Sequence, residues 1–258
     1  MVVLAGYQKH LHNLAQALAL LVVSCQSPTD KALFIDLPSS QTGISFENRL
    51  NYSEEFNMID YLYYYDGGGV ALGDINNDGM VDIYLVSNEG DNALYLNLGE
   101  MKFKDISASA GVKSPGSWKT GVSMVDINGD GLLDIYQCRL GDYKGITGKN
   151  ELYINQGDLT FIEEAANYNL DFSGFATQTT FFDMDNDGDL DAYLLNHSVH
   201  SSNSFGDTSL RAIVDTLSGD RLYRNDDNFF VDISAQSGIY QSTLGYGLGI
   251  GLGDINKD

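Results

Sequence analysis

Nine residues limit the fold of this chain more than any other feature: Asp183-Met184-Asp185-Asn186-Asp187-Gly188-Asp189-Leu190-Asp191. Five aspartates so close together repel one another unless a cation lies among them. Oxygen-bearing side chains stand at positions one, three, five and nine, with a glycine at six. Calcium is a hard cation that takes six to eight oxygen ligands. A short run of carboxylates can wrap round it only where the backbone turns sharply, and glycine permits that turn. The pattern recurs at Asp74, Asn76, Asp78 and Asp82, and again at Asp126, Asn128, Asp130 and Asp134. A fourth copy opens with Asp254, Asn256 and Asp258, where the sequence stops.

An EF-hand would need a bidentate Glu at position twelve and a helix on either side. Position twelve is Leu85, Gln137 and Leu194 in the three full copies, and the flanks read as strands. The sequence therefore predicts calcium loops within β-hairpins. The plainer alternative, Asp/Asn/Gly turns without an ion, explains the glycines but not the repeated oxygen positions.

The loop starts are 52, 57 and 71 residues apart, and each copy brings the same landmarks in the same order. A small-residue strand leads in (Gly69–Gly73, Gly121–Val125, Gly249–Gly253), with a bulkier counterpart at Gln178–Phe182. An apolar strand leads out, as in Ile83-Tyr84-Leu85-Val86. Then come Leu94-Tyr95-Leu96-Asn97, Leu152-Tyr153-Ile154-Asn155 and Leu222-Tyr223-Arg224-Asn225, each followed by a short strand at Phe103, Phe161 and Phe230. Four short antiparallel strands per repeat, at this period, predict an all-β chain of β-propeller blades. The glycine-rich strand fits the innermost place, where blades crowd the axis. A β-helix would want shorter repeats, and a sandwich would not explain the periodic landmarks. With 28 glycines, three prolines and 28 Phe and Tyr residues, the composition agrees with short strands rather than helices.

Strand, Asp-x-Asn/Asp-x-Asp-Gly-x-x-Asp, strand resembles the FG-GAP or VCBS repeat of integrin α-subunit propellers. With Leu-Tyr-x-Asn and Phe-x-Asp/Glu added, residues 43–258 are similar to the bacterial cartilage-acidic-protein-like (ASPIC/UnbV) group. The resemblance implies a seven-bladed propeller, secreted or surface-anchored. It also implies Ca²⁺ as ligand of the aspartates and asparagines above, with Met80, Leu132 and Asp189 at position seven giving only a backbone carbonyl. About four blades of seven are represented, so the sequence reads as a fragment of a longer protein.

Before the repeats, residues 1–24 contain no acid and run apolar from Leu14 to Val23. That run is too short to span a bilayer and suits the core of an export signal. It ends in Leu21-Val22-Val23-Ser24-Cys25, which resembles a lipoprotein cleavage box, so Cys25 is the expected lipidation site and residues 25–42 a tether. An ordinary signal peptide or a short buried helix is the alternative. The expected place is the outer membrane or cell surface of a bacterium, with membrane attachment through the lipid, or secretion. Cys138 then remains as a lone thiol, expected to be a small buried hydrophobe on its strand.

Formal charge is −22, and the three full loops hold eleven of the 36 acidic residues. Three divalent ions would reduce −22 to −16, which still disfavours nucleic acid and anionic membranes. The third repeat carries an extra segment, residues 196–219, that starts with Asn196, His197 and His200. These three are the candidate ligand-binding residues, set against a solvated loop with local capping. Gly-x-Ser-x-Gly, His-Glu-x-x-His and phosphate-binding glycine loops are absent from the sequence. The sequence thus favours a non-enzymatic module that binds a glycan, protein or small ligand. A polysaccharide hydrolase or lyase using the extra segment is the alternative.

Overall fold

The computed structural model describes residues 32–116, 118–199 and 208–255. Cys25, His200, Asn256 and Asp258 lie outside the described residues, as does the apolar leader. From Ser39 onward the chain forms one compact unit, which opens on a single helical turn, α1 (Ser39–Thr42).

Twelve strands form three separate four-stranded antiparallel sheets, each in simple sequence order. The first holds β1 (Val70–Gly73), β2 (Asp82–Leu85), β3 (Ala93–Asn97) and β4 (Phe103–Asp105). The second holds β5 (Lys119–Val125), β6 (Asp134–Arg139), β7 (Glu151–Asn155) and β8 (Phe161–Glu163). The third holds β9 (Ala176–Phe182), β10 (Asp191–Asn196), β11 (Arg221–Asp226) and β12 (Phe229–Asp232). The first strand of each sheet lies beside the first strand of the next, β1 by β5 and β5 by β9. That is the arrangement of propeller blades, and it matches the order of landmarks in the sequence.

Crowding at the inner strands explains their small residues. A Cβ on Gly121 would stand 2.3 Å from the carbonyl oxygen of Thr177 on the next blade, closer than atoms can pack. Direct bonds cross the same seam: the Thr120 and Ser123 hydroxyls donate to the carbonyls of Ala176 and Thr179 at 2.8 and 2.7 Å. The apolar core lies between blades. Ala71, Tyr84, Leu94, Val122, Ile135 and Tyr153 fill the space between the first two. Tyr136, Cys138, Leu152, Ala192, Leu194 and Tyr223 fill the next. Cys138 behaves as expected: it is fully buried, its Sγ is 3.2 Å from the Thr179 hydroxyl, and burial pushes its thiol up to about 12.

Each blade ends in a turn before the chain crosses over. α2 (Ser107–Ala110) stops at Gly111 and α3 (Ser234–Ser237) at Gly238, both glycines in the left-handed region at φ 80° and 75°. Glycine takes that conformation without steric cost, which is why helices so often stop at one. In the second blade Asn169, at φ 58°, takes the same place. A buried cation seals the first crossover. The Lys119 ammonium donates to the carbonyls of Gly90, Ser114 and Gly116 at 2.7, 2.9 and 2.6 Å, so all three protons are used.

One expected strand does not form. Residues 249–253 belong to no sheet, and Leu248 and Leu252 are exposed. A strand needs a paired neighbour to satisfy its backbone, and no second strand stands beside this segment among the described residues.

Candidate functional site

Each inner strand leads directly into one acidic loop: β1 into residues 74–82, β5 into 126–134 and β9 into 183–191. Short-range bonds shape each loop. Asp74 accepts the amides of Asp78 and Gly79 at 3.1 and 2.7 Å, and Asp126 those of Asp130 and Gly131 at 3.1 and 2.9 Å. Asp183 accepts the amide of Gly188 at 3.2 Å. Asp78, Asp130 and Asp187 each accept the amide two residues on, at 2.8, 2.8 and 3.0 Å. The glycine at position six has positive φ in all three, and so does position four: Asn77 (57°), Gly129 (73°) and Asn186 (62°). Asn and Gly are the residues that tolerate that region best. Position four was a readable signal that the oxygen pattern alone passes over.

The first, third and fifth side chains gather on the exposed side. In the third loop, ligand atoms of Asp183, Asp185 and Asp187 all lie within 4.8 Å of one another. In the first two loops Asn76 and Asn128 occupy position three, where each amide donates to the aspartate at position five at 3.0 and 3.1 Å. The donors are all hard oxygens, a set that suits Ca²⁺ or Mg²⁺ rather than a soft metal. Neighbouring loops meet, since the Asn77 amide donates to the Gly131 carbonyl at 3.0 Å. Asp254 faces the third loop across a shared cleft.

The ninth aspartate has a structural task that spacing does not reveal. Asp82, Asp134 and Asp191 are buried, at 0, 0 and 1 % exposure. One oxygen of each accepts the amide at loop position two (Ile75, Ile127, Met184) at 3.0, 3.1 and 2.7 Å. The other accepts the amide of an Asn at or next to the end of the third strand (Asn97, Asn155, Asn225) at 2.7, 2.8 and 2.8 Å. Those are the asparagines of Leu-Tyr-x-Asn, so landmarks 15, 21 and 34 residues apart form one clasp. Burial raises all three carboxyls, Asp134 to about 6, against the lowering effect of the two amides. A carboxylate has about four acceptor positions, so two remain on each after the clasp is made.

At the opposite ends of the inner strands lies a second feature, one the sequence reading passed over. Residues 53–66 make no strand; they fold over the blade ends and bury Tyr61 and Tyr64 at 1 % exposure. Together with Trp118, Leu140 and Phe175 they form a third apolar cluster. The available signal was positional. Aromatic residues stand immediately before each inner strand: Tyr61 to Tyr65, then Trp118, then Phe175.

His197 belongs to this end. It follows β10 and is fully buried, with ring centroids of Tyr63 and Tyr61 at 4.2 and 5.3 Å. Its Nδ1 is 3.1 Å from the Thr177 hydroxyl, and its Nε2 has no partner among the described residues. Asn196 is buried too, but its amide donates to the Gly219 carbonyl at 2.6 Å within the third blade. His197 therefore lines a cavity of about 310 Å³, walled also by Tyr61, Tyr63, Asp66, Trp118 and Gln178. Asn196 and His197 alternate along the chain and serve different surroundings.

Burial pushes the His197 imidazole down to about 4. In the unfolded chain histidine takes a proton near its ordinary value of about 6.5, so acid favours unfolding. Stability should be full above that value and fall as the pH drops through 6.5 towards 4, by about 3 kcal/mol from this residue. The groups packed on it (Tyr61, Tyr63, Phe175 and Thr177) carry no charge in that interval. Urea titrations at pH 7 and pH 4.5 check this, with His197→Gln expected to flatten the difference.

Among the described residues no helix is long and apolar enough to cross a membrane. Residues 74–136, from the first loop to the strand after the second, match the FG-GAP-like repeat family. The chain is 31 % identical over 144 residues to cartilage acidic protein 1 of Homo sapiens. It is 32 % identical over 146 residues to the Mus musculus protein of that name and 29 % over 135 to that of Xenopus tropicalis. These matches take in 55, 55 and 52 % of this chain, and 21, 21 and 20 % of those relatives. The chain thus spans about a fifth of the length of the curated relatives it matches. Residues 74–136 are thus similar to the FG-GAP-like repeat, and about half of the chain is similar to part of cartilage acidic protein 1.

Proposed function

We propose that this FG-GAP repeat chain is a calcium-stabilised, β-propeller-like binding module that works outside the cytoplasm without catalysing a reaction. The observation that carries the proposal is the convergence of Asp183, Asp185 and Asp187 at the end of an inner strand. The same backbone construction recurs at Asp74, Asn76 and Asp78 and at Asp126, Asn128 and Asp130. In each loop these side chains would hold the ion together with the position-seven carbonyl of Met80, Leu132 or Asp189 and the ninth aspartate. When bound, calcium supplies positive charge that cancels the repulsion among those carboxylates. The protein's own part is to fix the loop beforehand through the clasp of Asp82, Asp134 and Asp191.

A binding role is favoured over hydrolysis by the charge of the cavity. Glycoside hydrolysis uses two carboxyl groups on opposite sides of the scissile bond, whereas Asp66 is the only acid among the described residues of the cavity wall. Export and lipid attachment at Cys25 remain part of the proposal and rest on the leader sequence alone. Calorimetric titration of chelator-stripped protein with CaCl₂ tests the central point. Three sites are expected for the full loops, one fewer in Asp187→Ala, and absence of any calcium uptake would overturn it.

A further inference from the structure

The cavity beside His197 has a chemical character of its own. Tyr61, Tyr63 and Trp118 give it aromatic walls, Gln178 contributes an amide, and Asp66 is the only charged residue among its described lining residues. His197 is 0 % exposed, yet its Nε2 meets no partner among the described residues while Thr177 occupies Nδ1. Leaving a buried polar atom unpaired is costly, and native structures rarely do so without a ligand, water or catalytic reason.

We propose that this cavity binds a neutral sugar ring, an inference that rests on the binding-module reading above. Charge decides against anions: one carboxylate in the wall and a chain at −22 repel phosphate, sulfate and acidic sugars. Hydrogen bonding decides against a quaternary ammonium, which has no polar hydrogen and would leave Nε2 unpaired. A hydroxyl both donates and accepts, so it completes Nε2 whichever tautomer Thr177 selects. The imidazole is uncharged at neutral pH, since burial holds it at about 4. Asp66 and Gln178 can take further hydroxyls, and the C–H face of a pyranose suits the half-exposed ring of Tyr63. At about 310 Å³ the space is at the small end for ligand pockets and fits one or two rings.

The test uses the whole chain in calcium, titrated with glucose, galactose, mannose, N-acetylglucosamine and their disaccharides, with glucuronate and tetramethylammonium as charged controls. At least one neutral sugar should bind, and both controls should bind at least about tenfold more weakly. Both Tyr63→Ala and Asp66→Asn alter partly exposed residues and should fold; Asp66→Asn should keep the wild-type melting temperature, and Tyr63→Ala should melt lower by its lost packing on His197 but still cooperatively. Each should weaken sugar binding by about tenfold or more, the loss expected when a recognition group goes. His197→Phe should keep the ring packing and lose the same affinity. No binding by any neutral sugar, unchanged affinity in the Tyr63 and Asp66 variants, or tighter binding of tetramethylammonium would each overturn the proposal. Melting with and without calcium separates the two readings. A calcium-insensitive protein that binds sugar through these residues sinks only the calcium reading, and a calcium-stabilised one that binds no sugar sinks only this one.

Discussion

Removing calcium should lower the melting temperature of this protein more than any single substitution does. An ion that binds only the folded state adds about 2.7 kcal/mol per site at a hundredfold excess over its dissociation constant, or about 8 kcal/mol over three loops. The source of the effect is visible in the third loop, where three carboxylates converge within 4.8 Å. Folding alone forces them together, and the ion reverses the sign of that term. Asp187→Ala should cost about 2.7 kcal/mol in calcium, one site's share, and almost nothing in EDTA. Scanning calorimetry in the two buffers decides it: superimposable wild-type curves would end the calcium reading.

The second large effect is expected at Asn155. Its amide donates to Ile75 of the preceding blade at 2.8 Å and to Leu133 of its own at 3.1 Å, while its side-chain oxygen accepts the amide of Gly157 at 3.0 Å. The residue is 3 % exposed, so water cannot replace these bonds. Asn155→Ala orphans two carbonyls and one amide, each worth about 1–3 kcal/mol when buried, for a total of about 4 kcal/mol. Asn97 holds the same place in the first blade, where its amide reaches only Val81, at 2.8 Å, in an exposed setting. Its side-chain oxygen also accepts the amide of Gly99 at 2.9 Å, so Asn97→Ala should cost about 2 kcal/mol, the ordinary net value of two hydrogen bonds. Urea denaturation of both variants gives the comparison, and equal losses would show that the contact between blades contributes nothing.

Much of this architecture could be read in advance because it is built from repeated, local rules. The glycines at 69, 73 and 121 predicted inner strands, and the structure shows the crowding that demands them. Leu-Tyr-x-Asn predicted a third strand in every blade and found one. Two things stayed out of reach. The ninth aspartates looked like ligands alone, because their bond to a distant asparagine amide is a tertiary fact with no spacing rule. The aromatic cap has neither the period of a strand nor that of a helix, so residues 53–66 gave no pattern to follow. Nor could adjacency reveal that Asn196 and His197, neighbours in the chain, turn to separate surroundings. The missing strand at 249–253 is the reverse case: its residues fit the pattern, but pairing requires a neighbour.

The inner strands run from the aromatic cap to the acidic loops, and seven residues of β5 or β9 cover about 23 Å at the usual strand rise. Nothing held at one end can touch what is held at the other. Each blade thus resembles a rod clamped at its base, with the far tip left for the recognition proposed above. The exposed positions of residues 53–66 can change without disturbing the clamps, while buried Tyr61 and Tyr64 hold the cap in place. One frame of this kind could carry different specificities on relatives that share all of their acidic loops. Redirecting the proposed binding would mean editing accessible cap residues such as Tyr63 and Asp66 and leaving the loop aspartates alone.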